Sequence, residues 1–194
     1  IYTPSVAIVG TRHPTEDGIK RTHTLARMLV EDGYTIASGL AAGIDTAAHR
    51  AAIAFGGNTI GVIGTAIDSS YPRTNNGLQE QIAREHLLLS QVPVLRYSQQ
   101  GPAGNRLFFP ERNITMSAIT QATIIVEASD TSGTLIQARA ALKQGRKLFI
   151  LESCFQNSAI TWPKRFEGRP GVVRVRSFDD VREALGRAEK VIQN

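Results

Sequence analysis

Cysteine is nearly absent from this chain, with Cys154 the only one in 194 residues. A lone thiol excludes an internal disulfide and any zinc site built on several cysteines, and four scattered histidines leave a metal centre without a ligand set. No metal and no other cofactor is expected. Long apolar runs are missing as well, since none approaches the roughly 18 consecutive residues that a membrane helix needs. The first residues lack the basic, apolar, small-residue order of a secretion signal, so a cytoplasmic protein with no membrane partner is expected. The chain begins at Ile1 rather than methionine, and further residues upstream are expected. Neither nucleotide fingerprint occurs: no G-x-G-x-x-G follows the first apolar segment, and no G-x-x-x-x-G-K-[ST] is found. Both the dinucleotide-enzyme and the P-loop NTPase readings are therefore weak.

What is present is a regular alternation. Apolar, β-rich runs ("SVAIVG", "YTIASG", "NTIGVIG", "HLLLSQ", "ATIIVEA", "KLFILE", "VVRVRSF") are separated by helical patterns. The first helix opens at Thr15 and Glu16 and stops at Gly33; others fall on "GIDTAAHRAAIAFGG", "NNGLQEQIAREH", "ERNITMSAIT", "SGTLIQARAALKQGR" and "DDVREALGRAEKVIQ", the last capped by Ser177 or Asp179. This order predicts an α/β fold, a Rossmann-like, mostly parallel sheet with helices on both faces. With 42% apolar residues the chain reads as one domain over 1–194. Residues 91–111 and 152–171 read as long loops.

The net charge of +5 is unevenly placed. Residues 1–97 carry eight Lys/Arg and eight Asp/Glu, and residues 98–194 carry fourteen and nine. A basic second half suits a polyanion partner, although a solvated basic face would look the same.

In an open parallel sheet the strand-to-helix turns converge on one edge, and ligands bind there. "VGTR" (9–12), "SGLAAG" (38–43), "IGTA" (63–66) and "SDTSGT" (129–134) each set glycine among small polar residues. Glycine permits close backbone approach, and helix starts present N–H groups to anions, so four such turns predict a phosphate-binding rim. The rim residues expected to touch nucleic acid are Gly10, Thr11, Arg12, Ser38, Gly39, Gly133 and Thr134. The run "NRLFFPERN" adds Arg106, Phe109, Arg112 and Asn113, interleaving cations with an aromatic, a combination that suits single strands. One of Phe108 and Phe109 plugs the core in this reading. His49 follows Asp45 by four residues, but no nucleophile stands near them, and no catalytic residue is expected. Glu127 can accept from a ribose or base, or can cap a neighbouring turn. Trp162 and the basic run after it either extend the positive surface or form a solvated edge.

Taken in register, "VAIVGTR", "SGLAAGIDTAAHRAA", "GGNTIGVIGTAIDSSYPRTNNGLQEQI", "FPERN" and "ATIIVEASDTSGTLIQARAALKQGR" closely resemble the DprA/Smf family of bacterial DNA-processing proteins over about residues 4–151. The resemblance implies an extended Rossmann-like domain that binds single-stranded DNA without catalysis, usually as a homodimer. It also implies a RecA-type recombinase as partner, loaded onto incoming DNA during natural transformation or recombination. Carried over, Gly10, Thr11 and Arg12 become phosphate contacts, Arg106 a basic contact and Phe109 a stacking ring, with Arg112 and Asn113 heading the next helix. Ala42 and Ile114 depart from the family, which places basic residues there. The family's flanking helical and winged-helix modules fall outside this sequence. The alternative is a nucleotide-binding sensor or a phosphoribohydrolase of the related LOG type, whose "PGGxGTxxE" becomes "SDTSGTLIQ" here, with Gln137 in place of the glutamate.

Overall fold

The structure, a computed structural model, describes residues 3–186. The seven apolar runs form β1 (Ser5–Val9), β2 (Thr35–Ser38), β3 (Thr59–Ile63), β4 (Leu87–Ser90), β5 (Ala122–Ile125), β6 (Lys147–Leu151) and β7 (Val172–Val175). Every residue of β1, β2, β3 and β5 is buried, as strands covered on both faces must be. All pairings are parallel, in the order β4-β3-β2-β1-β5-β6-β7. The expected Rossmann-like sheet is thus present, and it is parallel throughout.

Nine helices connect or follow these strands among the described residues: α1 (Glu16–Glu31), α2 (Ile44–Ala54), α3 (Asn76–Glu85), α4 (Val94–Gln99), α5 (Pro102–Asn105), α6 (Phe108–Ile119), α7 (Thr134–Lys143), α8 (Glu152–Gln156) and α9 (Phe178–Leu185). Local chemistry fixes the ends of the first and last. Thr15 caps α1 by accepting from Gly18 N at 3.0 Å, and Gly33, at φ +88°, ends it in the left-handed region. Ser177 rather than Asp179 caps α9, through a reciprocal capping box with Asp180. Of the helix expected over 179–193, the described part ends at Leu185, and residues 187–193 lie outside the described residues.

Strand alternation assigns the layers. Val6 and Ile8 of β1 face a cluster with Leu25 and Leu29 of α1, Ala48 of α2 and Val181 of α9. Ala7 and Val9 face the opposite layer, with Met116 of α6 and Leu135 and Ala138 of α7. Trp162 corrects its sequence reading as surface. It is fully buried in this second layer, and its Nε1–H donates to Ala128 O at 2.8 Å. Both expected long loops are also corrected. Residues 91–111 contain α4, α5 and the start of α6, and residues 152–171 contain α8 and a 3₁₀ turn at Trp162–Arg165. Their Pro and Gly residues broke the helical periodicity into pieces too short to read.

From β1 the chain winds out to β4 on one side, then returns to β5 on the other side of β1. The carboxyl ends of β1 and β5 therefore flank a topological switch point, where connecting turns part and leave a crevice. No helix among the described residues is long and apolar enough to cross a membrane.

Candidate nucleic-acid interface

A cleft of about 440 Å³ opens at the β1/β5 switch point. It is walled by the turn after β1 (Gly10, Thr11, Arg12), the first half of α6 (Phe109, Arg112, Asn113) and the turn into α7 (Ser132, Gly133, Thr134). These are three segments remote in sequence, and they contain eight of the eleven residues named above as nucleic-acid contacts.

Glycines shape the wall. Gly43 has φ +81°, and a Cβ there would strike Thr11 O and the Arg12 backbone. The "GID" turn therefore backs the "GTR" turn directly, and Ile44 N donates to Thr11 O at 3.2 Å. Gly10 lies as tightly against Ile44 and Glu127 O, with 2.6 and 2.8 Å left for a Cβ. Thr11 N donates to Glu127 O at 2.7 Å, which ties the β1 turn to the end of β5. Arg12 remains exposed at the mouth of the cleft.

The remaining expected contacts are placed differently. Ser38 is buried, and its Oγ donates to Ile8 O at 2.6 Å. Gly39 is buried too; its N–H donates to Asp45 Oδ2 at 3.1 Å, and its carbonyl accepts from Arg112 Nη1. Arg112 lines the cleft but is 6% exposed, with Nη1 also donating to Val62 O at 2.8 Å. Its cation acts on the buried Asp45 carboxylate. Burial pushes the Asp45 carboxyl up from its ordinary range, and the Arg112 charge with backbone N–H donors pulls it back. Arg106 is exposed and does not line the cleft. The "IGTA" turn also stays out of it, because Phe109 covers Gly64. Phe108 is the buried member of the aromatic pair, at 3% exposure, while Phe109 is half-buried on the cleft wall.

Four groups singled out by residue type are engaged within the fold, while His13 is exposed on the cleft. His49 is fully buried with Nδ1 2.7 Å from Thr59 Oγ1, and burial depresses its pKa to about 3. Thr59 gives its own proton to Ile36 O, so His49 is neutral with the proton on Nδ1. Burial pushes the Cys154 thiol up to about 12, which leaves it unreactive. Glu127 holds the residue that caps α1, accepting from Thr15 N at 3.0 Å and Thr15 Oγ1 at 2.5 Å. Gln137 is buried at the back of the cleft, donating to Thr123 Oγ1 at 3.2 Å.

Sequence reading missed Asp45, Met116 and Ser132 as parts of this site. Met116 was legible in hindsight, four residues after Arg112 and hence on the same face of α6. Asp45 was paired with His49 on helical spacing, whereas its carboxylate turns back to the β2 turn instead.

The chain is similar to known proteins. A family model described as DNA recombination-mediator protein A matches residues 1–166. Protein Smf of Synechocystis is 44% identical over 148 residues, covering 76% of this chain and 36% of that protein. DNA processing protein DprA of Streptococcus pneumoniae is 41% identical over 150 residues, covering 76% of this chain and 50% of that protein. The chain thus spans about a third to a half of the length of these relatives. Among solved structures, that of DNA processing protein A from Helicobacter pylori, described for its unique single-stranded DNA binding mode, superposes with a TM-score of 0.77 at 31% identity. That match covers 94% of this chain and 80% of the other.

Proposed function

Because the chain belongs to the DNA recombination-mediator protein A family, which here includes the Smf and DprA proteins of DNA processing, we propose that this domain binds single-stranded DNA at the β1/β5 cleft. It holds the strand and performs no chemistry on it. The observation that carries the reading is one cleft in which the exposed Arg12, the glycine-backed Gly10–Thr11 turn, the start of α7 at Gly133–Thr134 and the ring of Phe109 meet. A cation and the positive end of a helix attract phosphate, while a half-exposed ring offers a base a stacking face.

Within this proposal the eleven residues divide by task. Gly10, Thr11, Arg12, Asn113 and Gly133 form the phosphate rim, the buried Thr134 supports it by donating to Gly10 O, and Phe109 is the stacking platform. Arg106 is an outlying phosphate contact. Ser38, Gly39 and Arg112 brace the wall from behind, since their polar groups already bond to backbone or to Asp45. Ala42 and the exposed Ile114 offer no positive charge at two positions where the family resemblance implies cations, so fewer phosphate contacts are available there. The recombinase handover, the homodimer, the cytoplasmic setting and the role in transformation or recombination belong to the same proposal and rest on the family resemblance alone.

A small-ligand reading is favoured by one observation, since a cleft of about 440 Å³ is large enough for a mononucleotide. Hydrolysis of LOG type is disfavoured, because Gln137 supplies a buried amide where a carboxylate is required. Titration with oligo-dT at two salt concentrations, beside duplex DNA and a mononucleotide, separates the readings. A strand binder prefers oligo-dT and weakens steeply with salt. Thermal stabilisation by a mononucleotide, with no response to oligo-dT, supports the sensor instead.

A further inference from the structure

Further clefts lie beyond the Gly10–Arg12 turn. Thr11 and Ser129 on the rim of the β1/β5 cleft also line a second cleft of about 390 Å³, together with Arg21, Glu127 and Ser153. Arg21 and Ser153 in turn line a third, of about 490 Å³, which runs between α1 and the ends of β6 and β7 and includes Lys20 and Arg176. We propose that these two clefts form an onward groove for the same single strand, leading from the β1 turn toward β7, with Arg21, Lys20 and Arg176 as phosphate contacts. This rests on the strand-binding reading and extends it to a second subsite.

Charge supports the assignment. The acids along the groove are engaged: Asp17 pairs with Lys20 at 3.8 Å, Glu127 bonds to Thr15 and pairs with Arg21 at 4.0 Å, and Glu152 is held by Arg174 at 2.5 and 2.7 Å. In the basic run after Trp162, Arg165 pairs with Asp130, and Arg174 with Glu152 and Glu167. Arg176 has no ion pair among the described residues and is exposed on the groove. The partly buried Met28 gives this third cleft an apolar side for base contact. Three strand spacings separate β1 from β7, about 14 Å, enough for about four more stacked nucleotides at about 3.4 Å each. An acidic peptide would also satisfy the cations, but only a strand already seated in the first cleft gains from the two being adjacent.

The test compares oligo-dT of about five and about twelve nucleotides on the full 194-residue chain by fluorescence anisotropy. The longer strand binds the parent protein more tightly and with a steeper salt dependence. Lys20→Ala with Arg176→Ala removes that gain, lowers the salt slope for the long strand by about 1.4, and leaves the short strand's affinity unchanged. Both side chains are exposed, and an unchanged melting temperature verifies folding. Arg12→Ala weakens both lengths. If the double variant keeps the full length gain, or if an acidic peptide fills the groove without displacing the longer strand, the extension is overturned while the first cleft stands. If neither length binds the parent protein, the strand-binding reading fails and the groove with it.

Discussion

Phe109 rests on Gly64: a Cβ placed at position 64 would stand 2.7 Å from Phe109 Cδ1. Tyr71 holds the same ring from another side, with centroids 5.5 Å apart. The ring is thus positioned by a residue that contributes nothing but space. Gly64→Ala is expected to displace it and weaken oligo-dT binding, although residue 64 does not line the cleft. Unchanged affinity in this variant would mean that the ring's position does not matter.

Removing the ring gives the companion result. Phe109→Ala is expected to lose about 1–3 kcal/mol of binding to single strands. Arg106→Ala should weaken binding evenly across sequences and lower the salt slope by about 0.7. Isothermal titration at two salt concentrations distinguishes the two effects.

Gly43→Ala tests the turn. The substitution combines a left-handed backbone at φ +81° with a clash against Thr11 O and the Arg12 backbone. A stability loss of about 1–3 kcal/mol is expected, together with lost strand binding as the β1 turn moves away. Urea unfolding and anisotropy on the same sample check both.

The electrostatic coupling of Arg112 to the buried Asp45 makes a stability prediction. Arg112→Met strands a buried carboxylate and leaves the Gly39 and Val62 carbonyls without their donor. Leaving buried acceptors unpaired costs about 1–3 kcal/mol each. Adding Asp45→Asn should restore part of the loss, measurable as a coupling in a double-mutant cycle. Simple additivity of the two changes would contradict it.

His49 sets a pH dependence. Its folded pKa of about 3 lies below the ordinary 6.5, so the unfolded chain binds a proton that the folded one refuses. Stability from this group is complete above pH 6.5 and falls by about 1.4 kcal/mol per unit as pH drops toward 3. Asp45 has the opposite sign. Its raised pKa makes stability fall as pH rises from its ordinary 3.8 toward the folded value. His49→Gln should flatten the slope of urea stability between pH 6.5 and 4. An unaltered slope would show that His49 is protonated in the fold.

The sheet was legible in the sequence because its strands are short apolar runs between glycine turns, and the "SVAIVG" and "ATIIVEA" runs needed no tertiary context to be read. Part of the cleft was legible for the same reason, since "GTR" and "SDTSGT" follow strands that turn out to be neighbours. Arg112 was harder. Its charge pattern suits a ligand, and only the packing of α6 on the β2 and β3 ends reveals a side chain that bonds inward to Gly39 and Val62. Trp162 failed for a related reason, because its basic neighbours suggested surface and its own pairing with Ala128 O depends on a distant segment.

The pairing of β1 with β5, Val6 opposite Ala122, has a kinetic side. Strands β1 to β4 meet in chain order and can condense from nearby sequence, whereas the β1–β5 closure must gather ends separated by all the intervening elements, the costly kind of contact in loop-closure terms. The Gly10–Arg12 turn and the α7 start lie on either side of that seam, so the cleft is complete only after the highest-separation contact in the sheet has formed. A half-folded chain would therefore carry most of its secondary structure and none of its grip.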